Sequence, residues 1–409
     1  MKIAFIVSQF PVISETFILS QITGLLDRGH EVDIFADSQE ICSKIHADVE
    51  KYNLLKHVYY RNMPINKFFR FLKGMGLIIA NFHKKPKTLL KSLNILALGR
   101  NAATLSMLYS VIPFLDKGPY DIVHCHFGPN GNLGVLLKDV GAIEGKIIAT
   151  FHGYDATSYP RICGKSIYKN LFRKIDLITV NSYFIKNKVM ELGCNENKII
   201  KLPVGLNTSE FFFKEKSFKA GDEIRILTVA RLVEQKGVEY SIKAVAKILK
   251  KYPNVKYHIV GDGPLNVQLY ELIKQMDIED KVRLLGWKTQ NEIRQLYSMS
   301  HIFILPSITS TKGDQEGQGL VIQEAQSMGL PIISTLLGGI PESIIEGKSG
   351  FLAPEKDIDA LAERLEYLIK HHELWPEIGR VGRRYVEENF DIHKLNDRLI
   401  KIYQQVLKG

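Results

Sequence analysis

The sequence predicts an α/β protein built from two doubly wound domains, and three observations support this prediction. The chain has 409 residues, which is more than one hydrophobic core usually supports. Short apolar strands alternate with helical segments from the N-terminus onward, a pattern typical of βαβ units and parallel sheets. The alternation stops over residues 207–222 and then begins again. We therefore expect two similar halves joined by a linker.

The first predicted domain covers residues 1–206. Its apolar runs are short and continuous, as expected for strands that are buried on both faces of a parallel sheet. A helix is expected over residues 15–27, closed by Gly29. The predicted strands are residues 2–7, 31–36, 121–126, 146–151, 177–181 and 199–202.

The second predicted domain covers residues 223–390, after a linker over residues 207–222. The tail over residues 391–409 is helical by periodicity, and we expect it to cross back onto the first domain. The predicted strands of this half are residues 224–231, 256–260, 282–285, 302–306, 331–335 and 350–352.

Positive charge is concentrated in one stretch of the chain. The net charge is +10, and residues 51–115 contain eleven Lys and Arg residues and no acidic residue. Nucleic acid, an anionic membrane surface or phosphorylated substrates would each attract such a patch, and a solvated basic face is the simplest alternative. The N-terminus does not resemble a signal peptide, and no apolar run reaches the ~18–20 residues that span a bilayer.

A helix with one apolar face is predicted inside this basic stretch. Phe68, Leu72, Met75, Ile79 and Phe82 recur at spacings of three and four. An apolar stripe with basic flanks suits a helix that lies in a membrane interface, although the same stripe would also suit packing against the first sheet. The flanking basic residues are Lys67, Arg70, Lys73, Lys84, Lys85 and Lys87.

Two glutamates bracket a glycine-rich loop and the start of a predicted helix. Glu316 lies in the loop and Glu324 lies one to two turns into the helix. The backbone amides of Gly319, Leu320 and Val321 would form a helix N-terminus, which binds anions such as phosphate. Glu324 is then placed to accept hydrogen bonds from the paired hydroxyls of a sugar. An ordinary loop with two surface glutamates is the alternative.

Two cations follow the first strand of the second half. Arg231 ends that strand, and Lys236 with Gly237 opens the next helix. Open α/β sheets bind ligands at this edge, where two cations suit a diphosphate leaving group whose charge develops during bond cleavage. A salt-bridge pair at the strand end is the alternative.

These motifs occur in one order along the second half. The matching blocks are residues 231–237, 260–264, 285–287, 305–307, 316–329, 331–339 and 347–352. Together they resemble the family 4 glycosyltransferases, which have the GT-B fold of two Rossmann-like domains facing a central cleft. The resemblance implies a retaining transfer from a nucleotide-diphosphate sugar donor, with Glu316 as a catalytic residue.

The first half resembles the family more loosely. His152 begins a histidine-glycine element after a strand, and the resemblance implies that this histidine faces the donor sugar as a second catalytic residue. The segment that starts at Ser14 and Glu15 resembles exopolysaccharide and colanic-acid-type enzymes, although it also suits a helix N-cap. His126 shares a strand face with His124 and is not expected to bind a metal. The residues expected on the acceptor side are Ser14, Glu15, His126, Gly128 and Asp155.

The expected partners follow from this resemblance. The acceptor would be a glycan or a polyprenyl-diphosphate-linked oligosaccharide, the cation pair would replace a metal cofactor, and no nucleic acid is expected. The protein would be cytoplasmic and peripheral on the inner face of the cell membrane. A sugar-nucleotide epimerase on the same architecture is the main alternative. An NAD-dependent oxidoreductase is disfavoured because the first strand lacks a Gly-x-Gly-x-x-Gly turn.

Overall fold

The computed structural model describes residues 1–12, 15–39, 46–219 and 221–409, and its first half is built on a parallel seven-stranded sheet. The strands are β1 (Lys2–Gln9), β2 (Glu31–Ser38), β3 (Val58–Tyr60), β4 (Ile122–His126), β5 (Lys146–Phe151), β6 (Leu177–Val180) and β7 (Ile199–Lys201). They pair in the order β3-β2-β1-β4-β5-β6-β7, with every pair parallel.

The second half is built on a parallel six-stranded sheet. Its strands are β8 (Ile224–Val229), β9 (Val255–Val260), β10 (Val282–Leu284), β11 (Ile302–Leu305), β12 (Ile332–Thr335) and β13 (Gly350–Ala353). Their order is β10-β9-β8-β11-β12-β13. In both sheets the winding direction reverses beside the first strand, between β1 and β4 and between β8 and β11. Ligands of doubly wound sheets bind outside the carboxyl ends of the strands at this reversal.

Helices cover both faces of the two sheets. Those of the first half are α1 (Thr16–Leu26), α2 (Ala47–Lys51), α3 (Lys67–Asn81), α4 (Pro86–Ser92), α5 (Ile95–Leu98), α6 (Arg100–Ala103), α7 (Ser106–Val111), α8 (Gly128–Val140), α9 (Ser158–Cys163), α10 (Lys169–Lys174) and α11 (Tyr183–Glu191). Those that follow are α12 (Val238–Leu249), α13 (Asn266–Gln275), α14 (Gln290–Met299), α15 (Leu320–Ser327), α16 (Ile358–Lys370), α17 (Trp375–Asn389) and α18 (Ile392–Lys408).

The last helix, α18, packs on the first half of the chain, as expected from the sequence. Leu399, Ile402 and Tyr403 lie in the same apolar cluster as Ile18 and Ile22 of α1. These residues recur at spacings of three and four, so the helix buries one continuous stripe. The two halves are therefore joined twice, once through residues 207–222 and once through this return.

The predicted α/β class with two doubly wound sheets is confirmed, and one strand was missed. Strand β3, Val58–Tyr60, lies at the edge of the first sheet, and its residues are only partly buried. A three-residue edge strand carries no long apolar run, so the sequence predicts a mainly helical stretch here. None of the described helices is both long and apolar enough to cross a bilayer.

Candidate active site

An ion pair between Lys236 and Glu316 lies at the carboxyl edge of the second sheet. Lys236 follows β8, and Glu316 lies in the loop between β11 and α15. The Lys236 ammonium donates to Oε2 of Glu316, and the two side chains are 14% and 13% exposed. The loops meet closely because Gly237 has a φ of 59°, and a Cβ there would lie 2.0 Å from the Pro306 carbonyl oxygen. The backbone therefore holds a cation and a carboxylate side by side at the ligand-binding edge.

Arg231 lies at the same edge of the second sheet as this pair. It directly follows β8, and its side chain is exposed. Within the part of the chain that the structure describes, its guanidinium makes no hydrogen bond or ion pair. A guanidinium binds phosphate oxygens in a bidentate manner, so Arg231 is free to contact an anionic ligand that also reaches Lys236.

The start of α15 adds backbone donors to the same edge. Gly319 precedes the helix with a φ of 81°, a left-handed conformation that favours glycine. The first amides of a helix have no carbonyl four residues earlier to bond, and they lie at its positive end. Glu316, three residues before Gly319, therefore lies beside a group of donors that suits a phosphate.

Glu324 lies on α15 and is partly buried. Its Oε2 accepts a hydrogen bond of 3.0 Å from the hydroxyl of Tyr297 on α14. Burial raises the pKa of Glu324 to about 7, although hydrogen bonds from Tyr297 and Gln290 oppose the shift. This carboxyl group therefore changes its charge near neutral pH, whereas Tyr297 fixes its orientation.

The facing edge of the first sheet carries a stack of histidines. His124 and His126 lie on β4 with ring centroids 4.6 Å apart, and His152 follows β5 with its ring 5.3 Å from that of His126. Nδ1 of His126 is 3.1 Å from Nε2 of His152. Burial lowers the pKa of His152 to about 3, with a smaller contribution from His124. The imidazoles are therefore neutral at physiological pH.

Aromatic rings enclose the outer histidine of this stack. The rings of Phe17 and Phe127 each lie 4.7 Å from that of His152. Phe127 has a φ of 70°, which a non-glycine residue rarely adopts and which often marks a functional site. Nδ1 of His152 and Nε2 of His126 are buried and lack a hydrogen-bond partner among the described residues. A ligand hydroxyl at His152 would satisfy one of them.

Asp155 holds the loop that carries His152. Its Oδ1 accepts hydrogen bonds from the amides of His152 and Gly153 at 3.0 and 2.9 Å, and its Oδ2 accepts one from Gly128 at 3.0 Å. Burial raises the pKa of this carboxyl group, and the amide hydrogen bonds oppose the shift. Asp155 and Gly128 are both buried. They thus have a structural contact, not the open acceptor-side position that the sequence suggested.

The loops of the two halves touch at Gly317. A Cβ on Gly317 would lie 2.1 Å from the carbonyl oxygen of His152, so only glycine fits between them. That carbonyl accepts a hydrogen bond of 2.7 Å from Nδ2 of Asn181. The neutral histidine of the first half and the Glu316 loop of the second half are therefore parts of one site.

Two further contacts cross between the halves and fix their relative position. The Glu342 carboxylate accepts hydrogen bonds from the amides of Tyr183 and Phe184 and from the Lys201 ammonium, at 2.9, 3.0 and 2.6 Å. It thereby caps the N-terminus of α11. The Gln318 side chain accepts a hydrogen bond from the Val204 amide at 2.8 Å and donates one to the Val204 carbonyl at 2.7 Å.

Comparison with known proteins identifies the family. A model described as "Glycosyltransferase Family 4" matches residues 14–210, and one described as "Glycosyl transferases group 1" matches residues 209–385. The putative colanic acid biosynthesis glycosyltransferase WcaL of Escherichia coli K12 is 33% identical over 99% of this chain and 100% of its own. The chain belongs to the family 4 glycosyltransferases. The amylovoran biosynthesis glycosyltransferase AmsK of Erwinia amylovora is 35% identical over the same shares of both chains.

Solved structures give the same fold for this glycosyltransferase. HepE of Anabaena, in complex with UDP and glucose, has a TM-score of 0.71 and 17% identity, covering 99% of this chain and 100% of its own. Sucrose-phosphate synthase of Thermosynechococcus elongatus has a TM-score of 0.75 and 17% identity, covering 100% and 99%. The GT-B expectation is therefore confirmed. The epimerase alternative finds no support, because the curated relatives are named as glycosyltransferases.

The glycosyltransferase brings most of the expected site residues to one edge. The described residues on the donor side are Arg231, Lys236, Glu316, Gly319, Leu320, Val321 and Glu324, with His152 opposite. Glu15 immediately precedes α1, two residues from the Phe17 ring that contacts His152. Ser14 lies outside the described residues. The assigned roles of all these residues stay predictions.

Sequence reasoning missed the residues that position the site. Tyr297 orients Glu324, Asn181 holds the His152 carbonyl, and Glu342 joins the two halves. Helical spacing groups Tyr297 with Ile293 on one apolar face, and a tyrosine on a buried face needs a partner for its hydroxyl. No comparable local signal points to Asn181 or Glu342, because their partners lie far away in the sequence.

Proposed function

We propose that this glycosyltransferase transfers a sugar from a nucleotide-diphosphate donor to a growing glycan in exopolysaccharide assembly and keeps the anomeric configuration of the donor. Arg231, whose side chain has no partner among the described residues, carries this proposal, because it shares one sheet edge with Lys236, Glu316 and the start of α15, and together these groups suit a diphosphate. HepE, which shares the fold, was solved in complex with UDP and glucose. WcaL and AmsK are named for colanic acid and amylovoran biosynthesis.

In the proposed reaction the bond between the sugar C1 and the diphosphate oxygen breaks. The electron pair stays on the diphosphate, where Arg231, Lys236 and the α15 amides offset the developing charge. A new bond forms between C1 and the oxygen of an acceptor hydroxyl group. The proton of that hydroxyl group is transferred to the diphosphate. Glu316 lies at the reacting face, and the carboxylate of Glu324 accepts hydrogen bonds from the ribose hydroxyls. Both a same-face displacement and a covalent intermediate fit this balance.

The first half of the chain supports the sugar and the acceptor in this proposal. Neutral His152 hydrogen-bonds a hydroxyl of the donor sugar through the nitrogen that lacks a partner. Its lowered pKa keeps positive charge away from the sugar, so the cations of the second half alone attract the diphosphate. Phe17 and Phe127 form apolar walls on which a sugar ring can lie.

No metal cofactor is required in this proposal. Mg²⁺-dependent transferases use the ion to neutralise the diphosphate, a task that two cationic side chains and a helix N-terminus can perform. Transfer should therefore persist when the enzyme is assayed with EDTA. Loss of activity with EDTA and recovery with Mg²⁺ would overturn this point.

We further propose that the acceptor is a polyprenyl-diphosphate-linked oligosaccharide. Such an acceptor remains in the membrane, so the enzyme would work as a peripheral protein on the cytoplasmic face. The relatives named for exopolysaccharide biosynthesis support an acceptor of the glycan class. The lipid link is the finer part of the proposal.

A transfer assay tests the proposal as a whole. Radiolabelled UDP- and GDP-sugars are incubated with the enzyme and with glycolipid extracted from a strain that lacks the corresponding gene. Label should enter the lipid fraction with the wild type, and Glu316→Gln should reduce the rate strongly while donor binding remains. NMR of the new linkage should show retention. A β-linkage from an α-configured donor would refute the retaining mechanism.

A further inference from the structure

Helix α3 exposes an apolar face that no other described element covers. Phe68, Leu72, Met75, Ile79 and Phe82 are 66%, 51%, 45%, 74% and 45% exposed. These are the stripe residues whose spacing also suited packing on the sheet, and the structure turns them to solvent. The same stretch of the chain exposes further apolar side chains, which are Ile65, Phe69, Phe71, Leu90, Ile95 and Leu96. Exposed apolar side chains gathered on one helix face mark an interaction surface.

The opposite side of the helix attaches α3 to the first half. Gly74 is its buried residue, and a Cβ there would lie 3.1 Å from Leu105. The Arg70 guanidinium donates to the Pro64 carbonyl at 2.9 Å, and its own carbonyl accepts from the Tyr109 hydroxyl at 2.7 Å. The side of α3 opposite the apolar face is therefore attached to the first half. The apolar face is thereby kept at the surface.

The charges around this face are positive and mostly unpaired. Lys84 pairs with Asp116, and Arg70 is occupied by backbone carbonyls. Among the described residues, the other basic side chains near the helix form no ion pair, and these are Lys67, Lys85, Lys87, Lys91 and Arg100. A second protein copy would bring the same positive charge to this surface, whereas an anionic lipid leaflet is complementary to it.

We propose that α3 lies in the interface of an anionic bilayer, with its apolar face among the acyl chains and its unpaired lysines at the headgroups. This inference rests on the proposed lipid-linked acceptor, because that acceptor requires the cleft to work beside a membrane. The helix suits such a position because its apolar face is broad, its basic residues lie at the margins, and residues 51–115 carry no acidic side chain.

The path of the chain places this surface near the acceptor side of the cleft. Helix α3 follows the carboxyl end of β3, and the carboxyl ends of parallel strands share one edge of the sheet. The hydroxyl of Tyr60, the last residue of β3, donates to the Phe10 carbonyl at 2.8 Å. Phe10 directly follows β1, and Phe17, whose ring contacts His152, lies at the start of α1, the next helix along the chain. An enzyme docked through α3 would therefore hold this edge close to the membrane.

Two triple variants separate the apolar and the electrostatic contributions. The first changes Phe68, Leu72 and Ile79 to Ser, and the second changes Lys85, Lys87 and Lys91 to Glu while leaving the Lys84–Asp116 pair intact. A charge-matched control changes Lys250, Lys274 and Lys348 to Glu, which are exposed in the second half without an ion pair among the described residues. Because these side chains are exposed, apart from the partly exposed Lys85, the variants should fold, which thermal unfolding verifies.

Sedimentation with liposomes measures binding of the full chain. The wild type should pellet with vesicles that contain phosphatidylglycerol, remain in solution with pure phosphatidylcholine, and dissociate as salt rises. Each of the two triple variants should lose about tenfold or more in partition coefficient, and the control should bind like the wild type. Equal pelleting with both lipids, no pelleting at all, or equal loss in the control would overturn the proposal.

Two further measurements separate this proposal from its rivals. Light scattering without lipid detects self-association, and a dimer that the Ser variant makes monomeric would assign the surface to a second copy and refute lipid docking. Thermal shift with nucleotide sugars reports donor binding, which both triple variants should retain. If the wild type binds a nucleotide sugar but no vesicles, the proposed docking surface alone is refuted. If the wild type binds no nucleotide sugar, the proposed function is refuted.

Discussion

The two edges that face each other across the cleft differ in charge. The edge of the second sheet carries Arg231, Lys236 and Glu316, and all three are charged groups at strand or helix ends. The edge of the first sheet carries stacked histidines whose lowered pKa values keep them neutral, with aromatic rings around His152. The described cations that could offset the charge of a diphosphate, Arg231 and Lys236, thus lie on the edge of the second sheet.

This difference indicates a division of labour between the halves. A cation on both sides would allow the diphosphate to bind in two orientations, whereas one charged edge defines where the leaving group lies. A neutral imidazole can still hydrogen-bond a sugar hydroxyl. The comparison therefore supports the proposal that the second half stabilises the leaving group and the first half recognises the sugar and the acceptor.

Removal of the lysine on the charged edge should have the largest effect. We expect Lys236→Ala to lower turnover by ~10²–10³, because a preorganised electrostatic partner of the leaving group is lost. Steady-state kinetics at saturating donor measures this. Lys243→Ala, on the exposed face of α12, is the matched control and should act like the wild type. Unchanged turnover in Lys236→Ala would contradict the proposal that the charged edge stabilises the leaving group.

The neutral edge should tolerate substitution somewhat better. We expect His152→Ala to lower turnover by about tenfold to a hundredfold, because one hydrogen bond to the reacting sugar is lost. The pKa of about 3 means that the imidazole gains a proton only in strong acid. The turnover at saturating donor should therefore show no change due to histidine protonation between about pH 5 and about pH 8. If turnover of the wild type changes near pH 6.5 and His152→Ala abolishes this change, a charged imidazole takes part in the reaction.

The carboxyl group of Glu324 should control donor affinity through its charge. Its pKa is raised from 4.5 to about 7, so it is protonated below that pH and becomes an acceptor for ribose hydroxyls above it. Donor affinity should rise as the pH passes 7. Glu324→Gln should bind donor about tenfold more weakly at high pH and lose this dependence. Calorimetric titration at several pH values decides, and a pH-independent affinity in the wild type would contradict the assignment.

The same pKa has a consequence for stability. A carboxyl group whose pKa is raised in the folded state stabilises the fold at low pH and loses that contribution as the pH rises through about 7. The free energy of unfolding of the wild type, relative to that of Glu324→Gln, should therefore fall as the pH rises from 4.5 to about 7. Urea unfolding of both proteins measures the difference.

The contact between Gln318 and Val204 should affect stability with little effect on turnover. Gln318→Leu removes both hydrogen bonds to the Val204 backbone and leaves the partly buried amide and carbonyl of Val204 without these partners. We expect the free energy of unfolding to fall by about 1–3 kcal/mol. Gln268→Leu, on an exposed face of α13, should leave stability unchanged. Equal stability of both variants would show that this contact does not join the halves.

Sequence patterns predicted the charged edge better than the neutral one, for a physical reason. Glycines, cations and carboxylates that follow parallel strands must meet at one edge, so the loop after β8 and the loop before α15 could be placed together. Residues 124–128 and 152–155 were assigned to the right edge, but which side chains face the cleft depends on packing. Asp155, which was expected on the acceptor side, is buried and holds the loop that carries His152.

Contacts between the halves could not be predicted from the sequence. The Glu342–Lys201 pair depends on how two separately built sheets are oriented, and no local pattern encodes that. The periodicity of residues 68–82 identified an apolar face, but periodicity is the same whether such a face meets a sheet or solvent. The buried position of Gln318 is explained by its two hydrogen bonds to the Val204 backbone.

Titration of nucleotide diphosphates is the measurement that tests the central claim most directly. UDP and GDP are titrated separately into the wild type, Arg231→Ala and Lys348→Ala. At least one nucleotide should bind the wild type, and Arg231→Ala should weaken that binding about tenfold or more, whereas Lys348→Ala should not. If neither nucleotide binds, or if Arg231→Ala binds as tightly as the wild type, the charged edge is not the diphosphate site.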